Sequence, residues 1–258
     1  LIYIGAAFQE TGFGKKLLRF GRKNLEREIR HQVYPDGVGH EISVSYHRLI
    51  TELFLSGAAV LENLGRQPSK IFADRIVEML KFIRDYTRPD GLASRVGDAD
   101  DGRVHILSGW GTDPRFHSHI FHDFQLPVPS EGAGKSNSYP DGGFFFLKAD
   151  PDVWVCIRCG PNSLRGVGNH NHCEQLSFEL FANGESLITD PGTYVYTADA
   201  DARNLFRSTA YHNTVKIDGE EQNRFDPENL FGMSDDTAAK AISWNDDENE
   251  ASFCGEHY

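Results

Sequence analysis

The chain has 258 residues with 26 basic and 38 acidic side chains, a formal net charge of −12, and 39% of its residues are hydrophobic. This size allows one large domain or two ordinary ones with a sizeable core. The negative charge argues against nucleic acid as a partner, and no apolar run approaches the length of a membrane span.

The charge is unevenly distributed along the chain. Residues 1–125 contain 17 basic and 16 acidic side chains, whereas residues 126–258 contain 9 and 22. An acidic polymer could therefore bind only in a groove whose local charge differs from the average. The sequence begins without Met, so we expect a piece of a longer protein, in which a missing signal peptide indicates nothing about the compartment.

Residues 1–126 are predicted to be helical, because apolar residues recur there at helical spacing. The stripes are Leu18, Leu25, Ile29 and Val33; Tyr46, Leu49, Ile50 and Leu53; and Phe72, Ile76, Leu80 and Ile83. The turn Pro35-Asp36-Gly37 returns 54 residues later as Pro89-Asp90-Gly91, each time after a helical pattern. This spacing fits one pair of helices and suggests an array of αα-hairpins.

Residues 127–142 are predicted to be a linker, because Pro, Gly and Ser are concentrated there. Beyond it, alternation with period two predicts an antiparallel sheet or sandwich over residues 143–258. The predicted strands are Gly143–Leu147, Val153–Arg158, Leu176–Phe181, Ser186–Thr189 and Thr214–Ile217. Asn183-Gly184 is typical of a type I′ hairpin turn. The acidic tail from Asp226 fits both strand and loop.

Two of the four cysteines form a CxxC pattern on a predicted strand. Residues three apart on a strand point to opposite faces, so a disulfide between Cys156 and Cys159 is not expected. We interpret both as small buried residues.

Three histidines and one aspartate form the most informative pattern. His170 and His172 are two residues apart, so on a strand their side chains leave the same face. Asp190 ends an apolar run, and His212 opens an alternating one. Two imidazoles and one carboxylate are a plausible zinc set, with a third His left for chemistry. The competing interpretation is a group of hydrogen-bonded structural histidines.

An acidic cluster precedes Gly102. Asp98, Asp100 and Asp101 resemble the start of a calcium loop, but the distal Glu of that motif is absent. We therefore predict a solvated loop, with Arg103 offsetting part of the charge.

A tyrosine lies at a predicted helix start. Ser43 or Ser45 could cap this helix, and Tyr46 follows beside His47 and Arg48. A phenolate forms more easily near a helix N-terminus, which makes Tyr46 a candidate for proton transfer. The alternative is an interfacial aromatic residue.

These motifs occur in an order that resembles the heparinase II/III superfamily of polysaccharide lyases, which includes related alginate lyases. The matching segments are Tyr46-His47, Asn169–Leu180, Asp190–Tyr194 and Arg203–Val215. The resemblance covers nearly the whole chain and is strongest from Gly143 to Asp218. The family usually has His-Gly-His where this chain has His170-Asn171-His172. Its Asn-Asn-His-like segment, which neutralises the substrate carboxylate, has no match here.

The resemblance implies an α+β multidomain protein. Residues 1–126 would be the C-terminal part of an incomplete (α/α) toroid, and residues 143–258, after the linker 127–142, an antiparallel β-sandwich. Tyr46 and His170 match the catalytic residues. His172, Asp190 and His212 match the ligands of a structural zinc.

We therefore predict a lyase that cleaves a uronic-acid polysaccharide by β-elimination, with Tyr46 and His170 sharing the acid and base roles. Arg203 and Arg207 are candidate partners of the substrate carboxylate, or surface salt bridges. The partner is an acidic polysaccharide, and the expected location is the cell envelope or periplasm of a bacterium. The alternatives are a metal-dependent glycan hydrolase and a non-catalytic glycan-binding protein.

Overall fold

The computed structural model describes residues 1–106, 113–150, 152–247 and 250–258. Within them, five helices precede the first strand and two short helices lie between later strands, an α+β order. The helices are α1 Ile2–Ala7, α2 Gly12–Gln32, α3 Val44–Asn63, α4 Lys70–Tyr86, α5 His119–Asp123, α6 Ser163–Gly166 and α7 Ala200–Phe206. The strands are β1 Asn137–Tyr139, β2 Phe144–Asp150, β3 Val153–Arg158, β4 Phe178–Ala182, β5 Glu185–Ile188, β6 Lys240–Asp246 and β7 Ala251–Glu256. None of the described helices is long and apolar enough to cross a membrane.

Hydroxyl side chains begin the three long helices. Thr11, Ser43 and Ser69 each accept a hydrogen bond from the backbone N–H three residues further on. Such caps satisfy donors that the first helical turn leaves free and contribute about 1 kcal/mol each. Of the two serines predicted as caps of α3, Ser43 is the one that fills the position.

The repeated Pro-Asp-Gly turn is confirmed in three dimensions. Gly37 and Gly91 both adopt positive φ, at 93° and 83°, which favours glycine. Each turn is flanked by an isolated antiparallel bridge, Val33 with Gly39 and Thr87 with Ala93, again 54 residues apart. The two helix ends are thus built in the same way.

Strands β1 to β5 form one antiparallel sheet in chain order, and β6 and β7 form a separate hairpin. Asn183 and Gly184 join β4 to β5 with φ of 54° and 78°, as the type I′ turn requires. Strand β1 lies inside the range 127–142 that composition indicates as a linker.

Alternation along β2 gives the sheet two different faces. The Phe144 and Phe146 rings pack on the Phe82 ring of α4, at centroid distances of 5.0 and 6.0 Å. Phe145 points the other way, 4.5 Å from the Phe253 ring of β7. The five-stranded sheet is therefore covered by helices on one face and by the β6–β7 hairpin on the other.

A buried carboxylate joins the helices to the sheet. Asp85 of α4 accepts a hydrogen bond of 2.7 Å from the Tyr139 hydroxyl and pairs with Arg84 and Lys148. Its backbone carbonyl accepts a 2.8 Å bond from the Trp154 indole N–H. Because these partners come from both parts of the chain, they fix the sheet relative to α4.

Two strand predictions are wrong. Thr214–Ile217 forms no strand, and its apolar side chains Val215 and Ile217 are exposed, so the alternation has no buried face to pack against. Strand geometry for His170 and His172, on which their common face was argued, is also absent, because residues 168–177 form a loop and the predicted strand Leu176–Phe181 begins only at Phe178. The positions of His170 and His172 are therefore set by tertiary contacts and not by strand geometry.

Candidate active site and metal centre

Tyr46 and His170 are stacked against each other. Their ring centroids are 4.1 Å apart, with an interplanar angle of 22°. Tyr46 lies in the first turn of α3, whereas His170 comes from the loop between α6 and β4. The contact therefore joins the helical part of the chain to the part that carries the sheet.

The neighbours of Tyr46 on α3 have other partners. The Nδ1 atom of buried His47 lies 3.2 Å from the Gly39 backbone N–H, and Arg48 forms a buried ion pair with Glu52 at 2.9 Å. The Tyr46 hydroxyl instead lies 3.3 Å from the hydroxyl of Tyr196, which donates to the Ala99 carbonyl at 2.9 Å. Since the Tyr196 proton is used in that bond, its oxygen is left to accept from Tyr46.

The pKa of Tyr46 is raised above its usual value. Burial of the ring is the largest cause, and the negative charges of Asp100, Asp98 and Glu41 act in the same direction, against the hydrogen bond to Tyr196. The direction of this shift is opposite to the one expected from the helix N-terminus. Tyr46 is therefore protonated near neutral pH and can act as a proton donor.

Asp98 is the centre of the polar network. Its carboxylate is fully buried and accepts from His170 Nδ1 at 3.0 Å, His172 Nε2 at 2.9 Å and the Thr193 hydroxyl at 2.9 Å. Both terminal nitrogens of the Arg203 guanidinium also donate to it. Burial alone would raise the pKa of Asp98, but the hydrogen bonds from the two histidines and the charge of Arg203 lower it well below its usual range.

The prediction of a solvated loop at the acidic cluster is wrong for Asp98. The segment is tied to the start of α3, where the Ser43 and Ser45 hydroxyls each donate at 2.5 Å, to the carbonyls of Asp98 and Asp100. Arg48 donates to the carbonyls of Asp100 and Gly102. These bonds hold the backbone so that Asp98 points inward.

The ionised Asp98 fixes which nitrogen of each imidazole carries the proton. A carboxylate only accepts hydrogen bonds, so His170 donates through Nδ1 and His172 through Nε2. When neutral, His170 thus presents a lone pair on Nε2, and His172 presents one on Nδ1. The Nε2 atom of His170 lies 3.7 Å from a carboxylate oxygen of Glu41.

Three buried polar atoms converge beside this network. The ligand atoms of His172, Glu174 and His212 lie within 4.8 Å of one another. His172 Nδ1, Glu174 Oε1 and His212 Nε2 have no hydrogen-bond partner among the described residues. Unpaired buried polar atoms are costly, so this arrangement fits a cation-binding site.

Carboxylates lie behind both candidate histidine ligands. Asp98 contacts His172 Nε2, and Asp190 accepts from His212 Nδ1 at 2.6 Å. Histidines that bind a metal through one ring nitrogen usually donate to a carboxylate or carbonyl through the other. The structure brings the predicted residues His172, Asp190 and His212 together, with Asp190 hydrogen-bonded to His212. Glu174 is adjacent to the two imidazole nitrogens that have no hydrogen-bond partner.

The candidate carboxylate partners Arg203 and Arg207 are both buried, so the surface salt-bridge alternative is wrong. Arg203 is paired with Asp98. Arg207 donates to the backbone carbonyls of Gly232, Asp226 and Asn229. Both guanidiniums thus hold the loops around the site in place.

Asn171 is where this chain departs from His-Gly-His. Its side chain is buried, accepts from the Ser163 backbone N–H at 2.7 Å and donates to Asn162 Oδ1 at 2.6 Å. The amide therefore anchors the loop between the two histidines to the start of α6.

A cleft of about 540 Å³ adjoins the site. Its walls include Ser45, Asp98 and Thr193, and its basic groups are Arg95 and Arg115. Arg115 is paired with Asp113 at 2.7 Å. The cleft therefore combines both signs of charge, and it reaches the Tyr46–His170 pair through Ser45, which precedes Tyr46, and through Asp98, which is bonded to His170.

Two family models match the chain. The model of the Heparinase II/III N-terminus matches residues 1–109, and the model of the Heparinase II/III-like C-terminal domain matches residues 131–253. The chain belongs to the heparinase II/III family.

Curated relatives of this heparinase II/III chain include two heparin-sulfate lyases. The protein of Pedobacter heparinus is 25% identical over 239 residues, and that of Bacteroides stercoris is 26% identical over 232 residues. The alignments cover 85% and 84% of this chain but only 35% and 34% of the relatives. The chain thus spans about a third of the length of the relatives it matches.

Solved structures share the fold. A heparinase III with methylated lysines superposes with a TM-score of 0.77 at 22% identity, and the heparan sulfate lyase of Pedobacter heparinus with 0.72 at 20%. Each superposition covers 98% of this chain and 39% of the other.

Sequence reasoning missed three residues of this heparinase II/III site. Asp98 lies in a predicted loop and Glu174 follows Cys173. Nothing in the sequence near either residue indicates that its carboxylate is buried. Tyr196 follows the noted Asp190–Tyr194 segment by two residues, and that proximity was the only available signal. All three need long-range contacts to acquire their roles.

Both cysteines of the CxxC pattern, Cys156 and Cys159, are buried and free, as predicted. Burial raises the pKa of each thiol, which keeps it protonated and unreactive.

Proposed function

We propose that the protein carrying this chain is a lyase that cleaves a uronic-acid polysaccharide by β-elimination. The main support is the Tyr46–His170 stack, in which a protonated phenol lies 4.1 Å, centroid to centroid, from an imidazole. The heparin-sulfate lyases among its relatives point to heparin or heparan sulfate as the substrate class.

Elimination across the C4–C5 bond of a uronate needs two proton transfers. A base removes the C5 proton, the electrons form a C4–C5 double bond, and the C4–O bond breaks. An acid then protonates the departing oxygen. Positioned acid and base groups accelerate such steps by roughly 10²–10⁴-fold each.

We assign these roles to Tyr46 and His170 as a pair. With Nδ1 donating to Asp98, neutral His170 can accept a proton on Nε2. The resulting imidazolium would lie beside Asp98 and Glu41, whose negative charges stabilise it. Tyr46, protonated at rest, can supply the proton for the leaving oxygen.

We also propose a structural zinc ion bound by His172, His212 and a carboxylate. The unpaired buried atoms fit this group, since imidazole nitrogens and carboxylate oxygens are common zinc ligands. The resemblance to the family assigns the carboxylate to Asp190, which here contacts His212 Nδ1; Glu174 Oε1 is the oxygen that has no partner. The ion would cross-link the loop 168–177 to the segment that carries His212 and contribute to stability.

Replacing His212 with Ala should lower zinc content and melting temperature together, because a metal that binds only the native state stabilises it. Of the carboxylate variants, Glu174→Gln should lose more zinc than Asp190→Asn, since Asp190 is already bonded to His212. Metal content is measured by mass spectrometry beside thermal unfolding.

His257→Ala provides a matched histidine control outside the cluster. Stoichiometric zinc and unchanged melting in the His212→Ala protein would rule out His212 as a ligand. A larger loss of zinc from Asp190→Asn would instead support the ligand set His172, Asp190 and His212.

The reaction class is tested by the product. A lyase acting on heparan sulfate should release an unsaturated uronide, seen as a rise in ultraviolet absorbance, and a metal-dependent hydrolase would release saturated ends. A non-catalytic glycan-binding protein would retain oligosaccharide and release nothing. A screen of the complete protein on heparan, chondroitin, hyaluronan and alginate distinguishes these outcomes and also names the polymer.

The division of the chain into two structural parts also agrees with the proposed function. We infer that residues 1–126 belong to an (α/α) toroid and residues 143–258 to a β-sandwich. The repeated helix-end turns and the hairpin packed on the five-stranded sheet support this division. An envelope or periplasmic location in a bacterium fits the bacterial relatives.

A further inference from the structure

Helix α2 has a basic face. Lys15, Arg19, Arg22, Lys23 and Arg30 lie at helical spacing, and Arg66 from the loop after α3 joins them around one groove of about 700 Å³. An adjacent face of the helix carries Leu18 and Ile29, which are fully buried. The helix thus separates a core stripe from a cationic stripe about 22 Å long, at 1.5 Å per residue from Lys15 to Arg30.

The charge of this groove is largely uncompensated. Its one acidic residue, Glu26, accepts hydrogen bonds from the Ser69 backbone N–H at 2.8 Å and from the Ser69 hydroxyl. Within the described ranges, no ion pair involves Lys15, Arg19, Lys23, Arg30 or Arg66. Arg22 donates to the Gln67 carbonyl. A positive surface therefore persists on a chain whose net charge is −12.

The groove continues toward the active site. A second depression shares Lys23, Glu26 and Arg30 with it and adds Arg27 and His31. A third shares His31 and reaches Glu41. Glu41 Oε2 lies 3.7 Å from His170 Nε2. Shared lining residues, three between the first two depressions and His31 alone between the second and third, thus link the basic groove to Glu41; we call this series of depressions the track.

We propose that this track binds an extended anionic polysaccharide, bearing carboxylate or sulfate groups, and leads it to the Tyr46–His170 pair. The proposal rests on the proposed function for the end of the track. A row of cations along a helix is complementary in charge to the repeated anions of a polymer. Single-stranded nucleic acids are usually bound on aromatic platforms, and the described lining of the basic groove contains no aromatic ring.

The test removes three exposed charges at once. Arg19→Gln, Lys23→Gln and Arg30→Gln are combined in the complete protein, in a His170→Ala background that suppresses turnover. Affinity for long heparan sulfate should fall about ten-fold. The affinity should also depend less steeply on salt, because fewer counterions are released from the polymer when three protein cations are missing.

The matched control combines Lys16→Gln, Lys70→Gln and Lys135→Gln, which removes the same charge from exposed sites outside the groove. Unchanged affinity of the groove variant for the long polymer, or an equal loss in the control, would overturn the proposal. Equally tight binding of a DNA strand of the same charge would overturn the assignment to a polysaccharide. Binding is measured without turnover, so this test can succeed or fail independently of the lyase assay, and melting temperatures confirm that both variants fold.

Discussion

Replacing Tyr46 with Phe should lower the turnover of the complete enzyme by a factor on the order of 10²–10⁴ while substrate affinity stays nearly intact. The change removes only the phenolic oxygen and keeps the ring that stacks on His170. Since the raised pKa makes this oxygen a proton donor at neutral pH, its loss leaves the departing oxygen without an acid. Single-turnover elimination rates measured beside oligosaccharide affinity test the prediction.

Two further variants make the result specific. Tyr258→Phe removes the hydroxyl of an exposed tyrosine and should leave turnover unchanged. His170→Ala should reduce turnover as Tyr46→Phe does, with zinc content unaffected, which separates it from His172→Ala. A Tyr46→Phe enzyme within a few-fold of the parent would exclude Tyr46 as acid or base and leave it as an aromatic packing residue.

The Asp98→Asn substitution should lower the free energy of unfolding by about 3–5 kcal/mol, the usual cost of removing one partner of a buried ion pair. Asn has nearly the same shape, so packing is preserved. The neutral Asn side chain cannot compensate the charge of Arg203. The Asp98 carboxylate accepts five hydrogen bonds, and the NH₂ group of Asn, which is a donor, would face some of the same donor groups. Unfolding in urea, followed by tryptophan fluorescence, measures the loss.

Asp101→Asn is the matched control, because Asp101 belongs to the same acidic cluster but is exposed, and it should change stability by less than about 0.5 kcal/mol. Adding Arg203→Met to Asp98→Asn should recover part of the loss, since no charge is then left unpaired. Equal urea midpoints for Asp98→Asn and the parent would show that Asp98 does not hold the network together.

Local patterns were sufficient for much of the fold. Helical stripes predicted α2, α3 and α4, and the two Pro-Asp-Gly turns predicted matching helix ends. Alternation predicted β2 to β5, and Asn183-Gly184 predicted the hairpin turn. These features depend on residues close in sequence, where side-chain spacing and backbone preference act directly. The same alternation failed at Thr214–Ile217, because a strand also needs a partner and a buried face.

For the site, the sequence by itself determined which residue types were present and in what order. That order was enough to place Tyr46, His170, His172, Asp190 and His212 as candidates. The tertiary structure decided how they meet. Asp98, buried among Arg203 and two histidines, determines which imidazole nitrogens keep a free lone pair. Burial of Tyr46 near carboxylates raises its pKa, which is opposite to the direction expected from the helix N-terminus alone. Desolvation and hydrogen bonding depend on groups more than 70 residues apart in the chain, so no local pattern could have determined them.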